Sequence, residues 1–246
     1  MPMSTEVLYA YAIVPAGTGL PHDTPGILPD TALALFQIEG CAALVSRVPR
    51  AAFSGETMFI AERTRAHHAT IAAIAARGPV LPLAFGTLFT NPESLGAWLQ
   101  PRAARLTTAL VEVTACAEFT LRLEEDTEGH IAWLDAHDAD LQALSASTEN
   151  AGGGAAFLLG RQRARRITEA RTARQAALSR DLAERLQRHA RRLPGDMTAL
   201  VRDADLPALR ADLDRMARDL AGTGLALRLV GPWPPYASAR AVLGGA

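Results

Sequence analysis

The sequence predicts an α+β protein built from two domains. In several short stretches apolar residues alternate with other residues, as along a strand with one buried face. In longer stretches they recur every three to four residues, as along an amphipathic helix. The chain of 246 residues is long enough for two domains of ordinary size. We place the N-terminal α+β domain at residues 1–115 and the C-terminal domain at residues 116–246.

Composition and charge exclude several classes of protein. Hydrophobic residues make up 49% of the chain, which is typical of a globular rather than a disordered protein. The formal net charge is −1, so no global field directs the chain to nucleic acid or to a membrane. All 25 basic residues are arginine. Because no signal peptide precedes the fold and no apolar run approaches the ~18 residues of a membrane span, we expect a cytoplasmic protein.

The first 50 residues predict three strands. Residues 7–14 are apolar and aromatic, with Tyr9 and Tyr11 on one face, and Pro15 ends this strand. Residues 33–38 and 42–48 predict two further strands, and the short glycine-containing gap between them suits a hairpin. Cys41 begins the third strand, and Cys116 lies 75 positions away, so both are expected to be reduced, partly buried thiols.

A helix is predicted over residues 56–77. Its apolar face carries Ile60, His67, Ile71 and Ile74. His67 and His68 lack the i,i+4 spacing and the carboxylate that a zinc site on one helix face requires. We therefore interpret His67 as a core or interface histidine.

Residues 79–89 predict a buried strand that is interrupted at Gly86. Asn91 and Pro92 follow as the N-cap and first residue of a helix. This helix is expected to extend towards residue 113, with a kink at Pro101.

The second half of the chain predicts the order strand, helices, strand, helix, strand. The stretches are residues 117–123, 131–144, 155–190, 197–201, 206–220 and 225–229, with a flexible loop at 145–154. This order suits a ferredoxin-like sheet with extra helices inserted after its first strand, over about residues 128–190.

The longest predicted helix is rich in arginine. Residues 161–192 contain 11 arginines. Clustered arginine is typical of a phosphate-binding surface, so nucleic acid is one hypothesis. The alternative, which we favour, is a solvated face or one paired with acidic residues such as those at 124–128, because no aromatic residues are interleaved for base stacking.

Catalytic motifs are not found in this sequence. His130 and His137, with Asp135 and Asp138, form the densest cluster of potential metal ligands. A mixed charged helix face explains the same pattern. We therefore expect no catalytic residue, no bound cofactor and no metal.

The C-terminal stretch 225–236 ends in three prolines within four residues. Because proline has no backbone donor, we expect the strand to stop at Gly231 and a stiff polyproline-like arm to follow. The arm carries Trp233 and Tyr236, and we interpret it as a clamp across the molecule. An ordinary proline-rich exit from the last strand is the alternative.

This proline-rich stretch resembles the closing signature of the gas vesicle GvpF/GvpL family. Further motifs occur in the family's order: residues 9–14, residues 42–46, His67, the run 79–89, and Glu118 with Phe119. The resemblance implies a mixed α+β N-terminal domain and a modified ferredoxin-like C-terminal domain with a proline-rich tail. The motif residues, expected to serve domain packing or partner binding, are His67, Pro82, Phe85, Gly86, Gly231, Pro232, Trp233, Pro234, Pro235 and Tyr236.

The same resemblance implies an accessory protein of gas vesicle assembly. Its expected partners are the hydrophobic shell subunit and other gas vesicle accessory proteins, with no membrane and no nucleic acid. We expect the chain to hold an amphipathic helix of the shell subunit against an apolar groove, at the cleft between its domains. A ferredoxin-like regulatory domain that binds a small ligand or nucleic acid is the alternative.

Overall fold

The structure is a computed structural model that describes residues 6–20, 24, 26–29, 31–53, 57–192 and 197–244. Helices and strands follow one another in these residues. The predicted α+β class is confirmed. None of the helices in these residues has the length and hydrophobicity that a bilayer crossing requires.

The first sheet has five strands. These are β1 (Glu6–Pro15), β2 (Ala34–Gln37), β3 (Cys41–Pro49), β4 (Leu81–Pro82) and β5 (Leu88–Phe89). Their order is β2-β3-β1-β4, and β5 also pairs with β1. All of these pairs are antiparallel, so the predicted hairpin of the second and third strands is confirmed.

Strand β1 is buried on both faces. Leu8, Ala10 and Ile13 belong to one apolar cluster, and Tyr9 and Tyr11 belong to another. This division follows from the two-residue side-chain period of a strand. Both clusters belong to the core of the first sheet.

The strand predicted over residues 79–89 is correctly interrupted at Gly86, but it is much shorter than predicted. The segment forms the two short strands β4 and β5, each paired with β1. Gly86 between them has φ +85°, a conformation that favours glycine. Pro79 and Pro82 also remove two backbone donors, so the segment cannot form a continuous ladder.

Helix α1 (Thr57–Ala75) agrees with the predicted helix, whose expected first residue, Glu56, lies outside the described residues. His67, Ile71 and Ile74 are buried as predicted. Ile60 is 45% exposed, which corrects its placement in the core. It lies on the same stripe as His67, but about two turns beyond the buried part of the helix.

The helix predicted from residue 92 to 113 is two helices. They are α2 (Pro92–Leu99) and α3 (Ala103–Glu112), separated by a 3₁₀ helix (Gln100–Arg102). Pro101 lacks the amide that a continuous helix needs, so it breaks the helix rather than bending it. The N-cap is as predicted: the Asn91 side chain accepts a hydrogen bond from the Ser94 amide at 2.8 Å.

The second sheet has four strands. They are β6 (Cys116–Glu125), β7 (Arg191–Arg192), β8 (Thr198–Arg202) and β9 (Leu225–Trp233), in the order β7-β8-β6-β9. Three helices connect β6 to β7, and α7 (Leu206–Asp219) connects β8 to β9. This is the β-α-β-β-α-β element order of the ferredoxin-like motif, with added helices in the first crossover.

The added helices are α4 (Thr127–His137), α5 (Ala139–Glu149) and α6 (Gly153–His189). The single helix predicted over residues 131–144 is wrong, because Asp138 ends α4 and caps α5, accepting from two amides of α5. The loop predicted at 145–154 is also largely wrong, since α5 runs through its first half. The long helix is confirmed, at about 55 Å.

The C-terminal arm differs from its prediction. Strand β9 continues through Gly231 to Trp233, and Tyr236 begins helix α8 (Tyr236–Leu243). The prediction of a polyproline-like arm is therefore wrong. Strand β9 lies at an edge of its sheet, where a proline without a donor can be accommodated, and proline is also favoured at the start of a helix.

The described residues form two compact units. One comprises residues of Met1–Phe119, Leu193–Asp203 and Gly231–Ala246, and the other comprises residues of Thr120–Arg192 and Ala204–Val230. Strands β6 and β9 each run from one unit into the other. The predicted domain boundary between residues 115 and 116 stays a prediction.

Candidate functional site

A chain of buried hydrogen bonds links Tyr9, His67 and Gly86 in the first unit. The Tyr9 hydroxyl lies 2.8 Å from His67 Nδ1 and accepts a hydrogen bond from the Gly86 amide at 3.4 Å. His67 Nε2 lies 3.2 Å from the carbonyl oxygen of Leu83. Strand β1, helix α1 and the segment between β4 and β5 therefore meet at one histidine.

These partners determine the tautomer of His67. A carbonyl oxygen only accepts, so Nε2 carries the proton and donates to Leu83. Nδ1 then accepts from the Tyr9 hydroxyl. Both ring nitrogens are occupied by the protein, which leaves His67 no free nitrogen for acid–base catalysis.

Burial keeps the groups of this cluster uncharged. Loss of hydration lowers the pKa of His67 to about 4, opposed by its bond to Leu83 and assisted by the nearby His68. Burial also raises the pKa of Tyr9 well above its usual range. The cluster is therefore neutral at physiological pH, and its contribution is one of packing and hydrogen bonding.

Aromatic rings surround the same histidine. Phe53 stacks on Tyr9 with ring centroids 5.1 Å apart, and Tyr11 stacks on His67 at 5.9 Å. Phe85 meets His67 edge-on at 5.9 Å. Stacked and edge-to-face pairs stabilise by more than their buried area alone. The predicted motif residues His67, Phe85 and Gly86 thus lie together in one structure.

Tyr11 extends the network to the hairpin of β2 and β3. Its hydroxyl donates to Ser46 Oγ at 3.0 Å and accepts from the Ile27 amide at 2.7 Å. Ser46 in turn donates to the carbonyl oxygen of Ala32 at 3.0 Å. Each buried polar atom in this path has a partner, as a stable core requires.

Tyr236 connects the C-terminal helix α8 to the same region. Its hydroxyl lies 2.6 Å from His68 Nδ1, on the residue next to His67. Burial raises the pKa of Tyr236 to about 12. The proline-rich motif and the His67 motif, which are 168 positions apart at this contact, therefore meet in the first unit.

Glu118 holds the beginning of helix α8. Its buried carboxylate accepts from the amides of Ala237 and Ser238, at 2.9 and 2.7 Å, and from the Ser238 hydroxyl at 2.8 Å. A carboxylate is stabilised by the partial positive charge of a helix N-terminus. Sequence analysis did not assign this role; an acidic residue within a mostly apolar strand was the available signal.

The remaining motif residues have different surroundings. A Cβ on Gly231, which has φ +144°, would lie 2.8 Å from the Glu118 carbonyl oxygen, and Pro232 follows it through a cis peptide bond. Trp233 is 49% exposed, so it is not buried as the clamp interpretation expected. Pro82 pairs with β1 in strand β4, and the carbonyls of Pro234 and Pro235 accept amides of helix α8. The functional role of the ten motif residues stays a prediction.

The arginine-rich helix α6 in the second unit is paired with carboxylates. Arg163 pairs with Asp135, and Arg166 pairs with Asp138 at 2.7 Å. Asp140 also contacts Arg166, at 3.1 Å. These pairs favour the interpretation of a helix paired with carboxylates over that of a nucleic-acid surface, because the charges of Arg163 and Arg166 are compensated within the protein.

Glu125 is a centre of this pairing. It receives two hydrogen bonds of 2.9 Å from Arg171 and one of 2.6 Å from His130. The bonds from Arg171 lower the pKa of Glu125 to about 2, although partial burial opposes the shift. This contact agrees with the expectation that acidic residues at 124–128 pair with arginines of the long helix.

The two histidines of helix α4 have separate partners. His130 is buried against Glu125, whereas His137 stacks on Trp133 with centroids 4.3 Å apart. Arg174 lies over Trp133, 3.4 Å from the ring centroid. Within the residues that the structure describes, no group of three histidine, cysteine or acidic side chains is arranged to hold a metal ion.

Comparison with known proteins identifies the family. The family model for the gas vesicle synthesis proteins GvpL/GvpF matches residues 7–237. The chain belongs to the GvpL/GvpF family. The family model carries the description gas vesicle synthesis protein. GvpL/GvpF is a family of gas vesicle structural or assembly proteins and not a known enzyme family.

Two relatives carry the same assignment. The chain is 34% identical over 180 residues to gas vesicle protein L2 of Halobacterium salinarum, a match that covers 65% of this chain and 63% of the relative. It is 28% identical over 190 residues to gas vesicle protein L of Haloferax mediterranei, covering 70% and 59%. The chain thus spans about three fifths of the length of each relative.

Two solved structures of GvpF share the fold. The GvpF crystal structure from Anabaena sp. PCC7120 superimposes with a TM-score of 0.75 at 17% identity, covering 95% of this chain and 98% of that one. GvpF from Microcystis aeruginosa has a TM-score of 0.63 at 17% identity, with the same coverage. At this identity the likeness concerns the fold alone.

Proposed function

We propose that this GvpL/GvpF protein is an accessory factor of gas vesicle assembly that binds the hydrophobic shell subunit. It keeps the subunit from aggregating before the subunit joins the growing vesicle, or it enters the nascent vesicle with it. The observation that carries the proposal is the family match over residues 7–237. The location that follows is association with the gas vesicle inside the cell.

Exposed apolar side chains on a rigid support suit such a role. Trp233 is 49% exposed at the end of the edge strand β9. The backbone around it is held by Glu118, which binds the next helix, and by the contact between Tyr236 and His68. A large aromatic side chain on a pre-ordered backbone can bind a partner at little entropic cost. Trp233 is therefore the residue that we propose to contact the shell subunit.

A binding function suits the His67 cluster better than catalysis. His67 has both nitrogens occupied and a lowered pKa, and Tyr9 is buried beneath Phe53. We therefore assign the cluster the role of supporting the C-terminal motif. Its contribution to binding is through the position of Tyr236 and helix α8.

The proposal is tested by co-expression with the shell subunit, followed by pull-down and a sedimentation assay of subunit solubility. We expect the wild type to retain a soluble complex. Trp233→Ala should reduce the retained subunit by about tenfold, as expected of an aromatic interface residue. Because Trp233 is half-exposed, the variant should fold normally, which thermal unfolding checks.

The matched control is Phe157→Ala, which removes another aromatic ring that is 65% exposed, at the start of helix α6. This variant should retain as much soluble shell subunit as the wild type. Failure of the wild type to bind or solubilise the shell subunit would contradict the proposed function. If both variants lost the same amount of shell subunit, the result would contradict the assignment of Trp233 as the contact residue but not the proposed function.

A further inference from the structure

The edge strand β2 lacks the usual protection against pairing with another strand. It ends the first sheet, and in the described part of the chain no strand pairs with its outer side. Its sequence, Ala-Leu-Phe-Gln, contains no charge and no proline. Natural sheet edges are usually blocked by charged residues, prolines or bulges.

Three of the other terminal strands carry such blocking residues, whereas β5, two residues long beside β4, carries neither charge nor proline. Strand β4 contains Pro82, and β7 consists of two arginines. Strand β9 contains Pro232 and the exposed Arg228. Among the described strands, β2 is therefore the longest sheet edge without a charge or a proline.

An apolar groove opens on one face of the sheet beside this edge and extends across β3 to β1. It has a volume of about 360 Å³ and is lined by Leu8, Ala34, Phe36 and Val45, with Pro92 at the start of helix α2. Ala34 and Phe36 are alternate residues of β2, so their side chains point to the same side of the sheet. A strand added to β2 would place its own alternate side chains over this groove.

A single arginine supplies the charge of the groove. Arg47 lines it and is exposed, and its side chain makes no ion pair or hydrogen bond with the residues that the structure describes. Its position in β3 is opposite Leu8 of β1. A partner that places a carboxylate near Arg47 gains a charge-assisted hydrogen bond.

We propose that β2 binds an extended apolar segment of another protein chain by adding it as a further strand. Main-chain hydrogen bonds to β2 provide affinity, and side chains in the groove provide selectivity. The partner segment alternates apolar residues on its groove-facing side and carries one acidic side chain that pairs with Arg47. This site is separate from Trp233 and does not depend on the proposed function.

The test uses synthetic nine-residue peptides in fluorescence anisotropy with the full chain. The probe alternates valine and threonine and carries one glutamate; the matched peptide carries lysine at that position. We expect the glutamate peptide to bind at least about tenfold more tightly than the lysine peptide. Arg47→Glu should reverse this preference, an exchange that a merely structural role of Arg47 would not produce.

A second variant tests the edge itself. Ala34→Lys places a charge in the groove at an exposed position and should abolish binding of both peptides. Thermal unfolding of each variant checks that the fold is retained. A variant of Trp233 should bind the peptides as the wild type does.

Three outcomes would overturn the proposal. The first is no binding of the glutamate peptide at concentrations up to about 1 mM, which corresponds to a negligible interaction. The second is equal affinity for the two peptides that Arg47→Glu leaves unchanged. The third is a dimer of this chain, seen by light scattering, that Ala34→Lys dissociates, because a second copy would then occupy the edge.

Discussion

Tyr9 and His67 are 58 positions apart, and their side chains share a buried hydrogen bond of 2.8 Å. The bond joins the central strand of the first sheet to the helix that packs on it. Because Leu83 takes the proton on the other ring nitrogen, Tyr9 is the donor to His67. The neutral imidazole of His67 thus joins three parts of the chain: strand β1, helix α1 and the segment that contains Leu83.

Replacing Tyr9 by phenylalanine should destabilise the protein by about 1–3 kcal/mol, because it leaves buried polar atoms of His67 and Gly86 without partners. The free energy of unfolding in urea measures this loss. Tyr236→Phe is the control, since it removes a hydroxyl that bonds to the more exposed His68. Its cost should be smaller, about 0.5–1.5 kcal/mol. Equal costs would contradict the importance of the buried network.

Stability should depend on pH through His67. Its folded pKa of about 4 lies below its ordinary value of 6.5, so the unfolded chain binds a proton first as the pH falls. The stabilisation is complete above pH 6.5 and is lost as the pH falls from 6.5 to about 4, by up to about 3 kcal/mol. Urea unfolding of the wild type at several pH values in this range measures the loss.

The control for this pH dependence is His67→Gln, which cannot titrate. The difference in unfolding free energy between the wild type and this variant should shrink as the pH falls from 6.5 to about 4. A difference that is independent of pH would show that His67 is not held neutral. NMR titration of the imidazole provides the pKa directly.

Glu125→Gln should destabilise the second unit by about 1 kcal/mol or more, because it weakens the two charged hydrogen bonds from Arg171. Glu124→Gln is the matched control. Glu124 is half-exposed and pairs with Arg228 at 3.2 Å, so this substitution should change the stability by almost nothing. Glu125 also stabilises above pH 4.5, and this contribution is lost as the pH falls towards about 2. Thermal unfolding of both variants at pH 7 compares the costs, and equal values would disprove the role of Glu125.

Gly231→Ala should destabilise the protein more than Gly222→Ala does. Both glycines have positive φ, +144° and +75°, so alanine is strained at either position. At Gly231 the added Cβ would also lie 2.8 Å from the Glu118 carbonyl oxygen, whereas at Gly222 it meets nothing within 4 Å. We expect Gly222→Ala to lower the free energy of unfolding by about 1 kcal/mol and Gly231→Ala to lower it further, as measured by chemical unfolding. A cost at Gly231 no larger than at Gly222 would contradict the close approach to Glu118.

Several elements were predictable because their signals are local. The apolar runs of β1 and β3 predicted strands whose bounds differ from the observed ones by one residue at each end. Asn91 followed by proline predicted the start of α2, since an N-cap acts within one turn. The apolar stripe of α1 correctly predicted that His67 is buried.

Other elements were not predictable from local pattern. Gly231 and Pro232 continue strand β9 because it lies at a sheet edge, and sequence does not show which strand is an edge. Ile60 shares the stripe of His67 but is exposed, because periodicity gives the direction of a side chain and not what covers it. The role of Glu118 depends on helix α8, whose amides lie 119 and 120 positions away.

By itself the sequence determined the α+β class, the long arginine-rich helix and the family resemblance, because side-chain periodicity and motif order are properties of neighbouring residues. Only the tertiary structure decided that Tyr9 is the partner of His67, that Glu118 holds helix α8 and that carboxylates from α4 and α5 neutralise arginines of α6. Those contacts join residues distant in the chain. Hydrogen bonds and ion pairs depend on distances of a few ångströms, which are set only when the strands and helices pack.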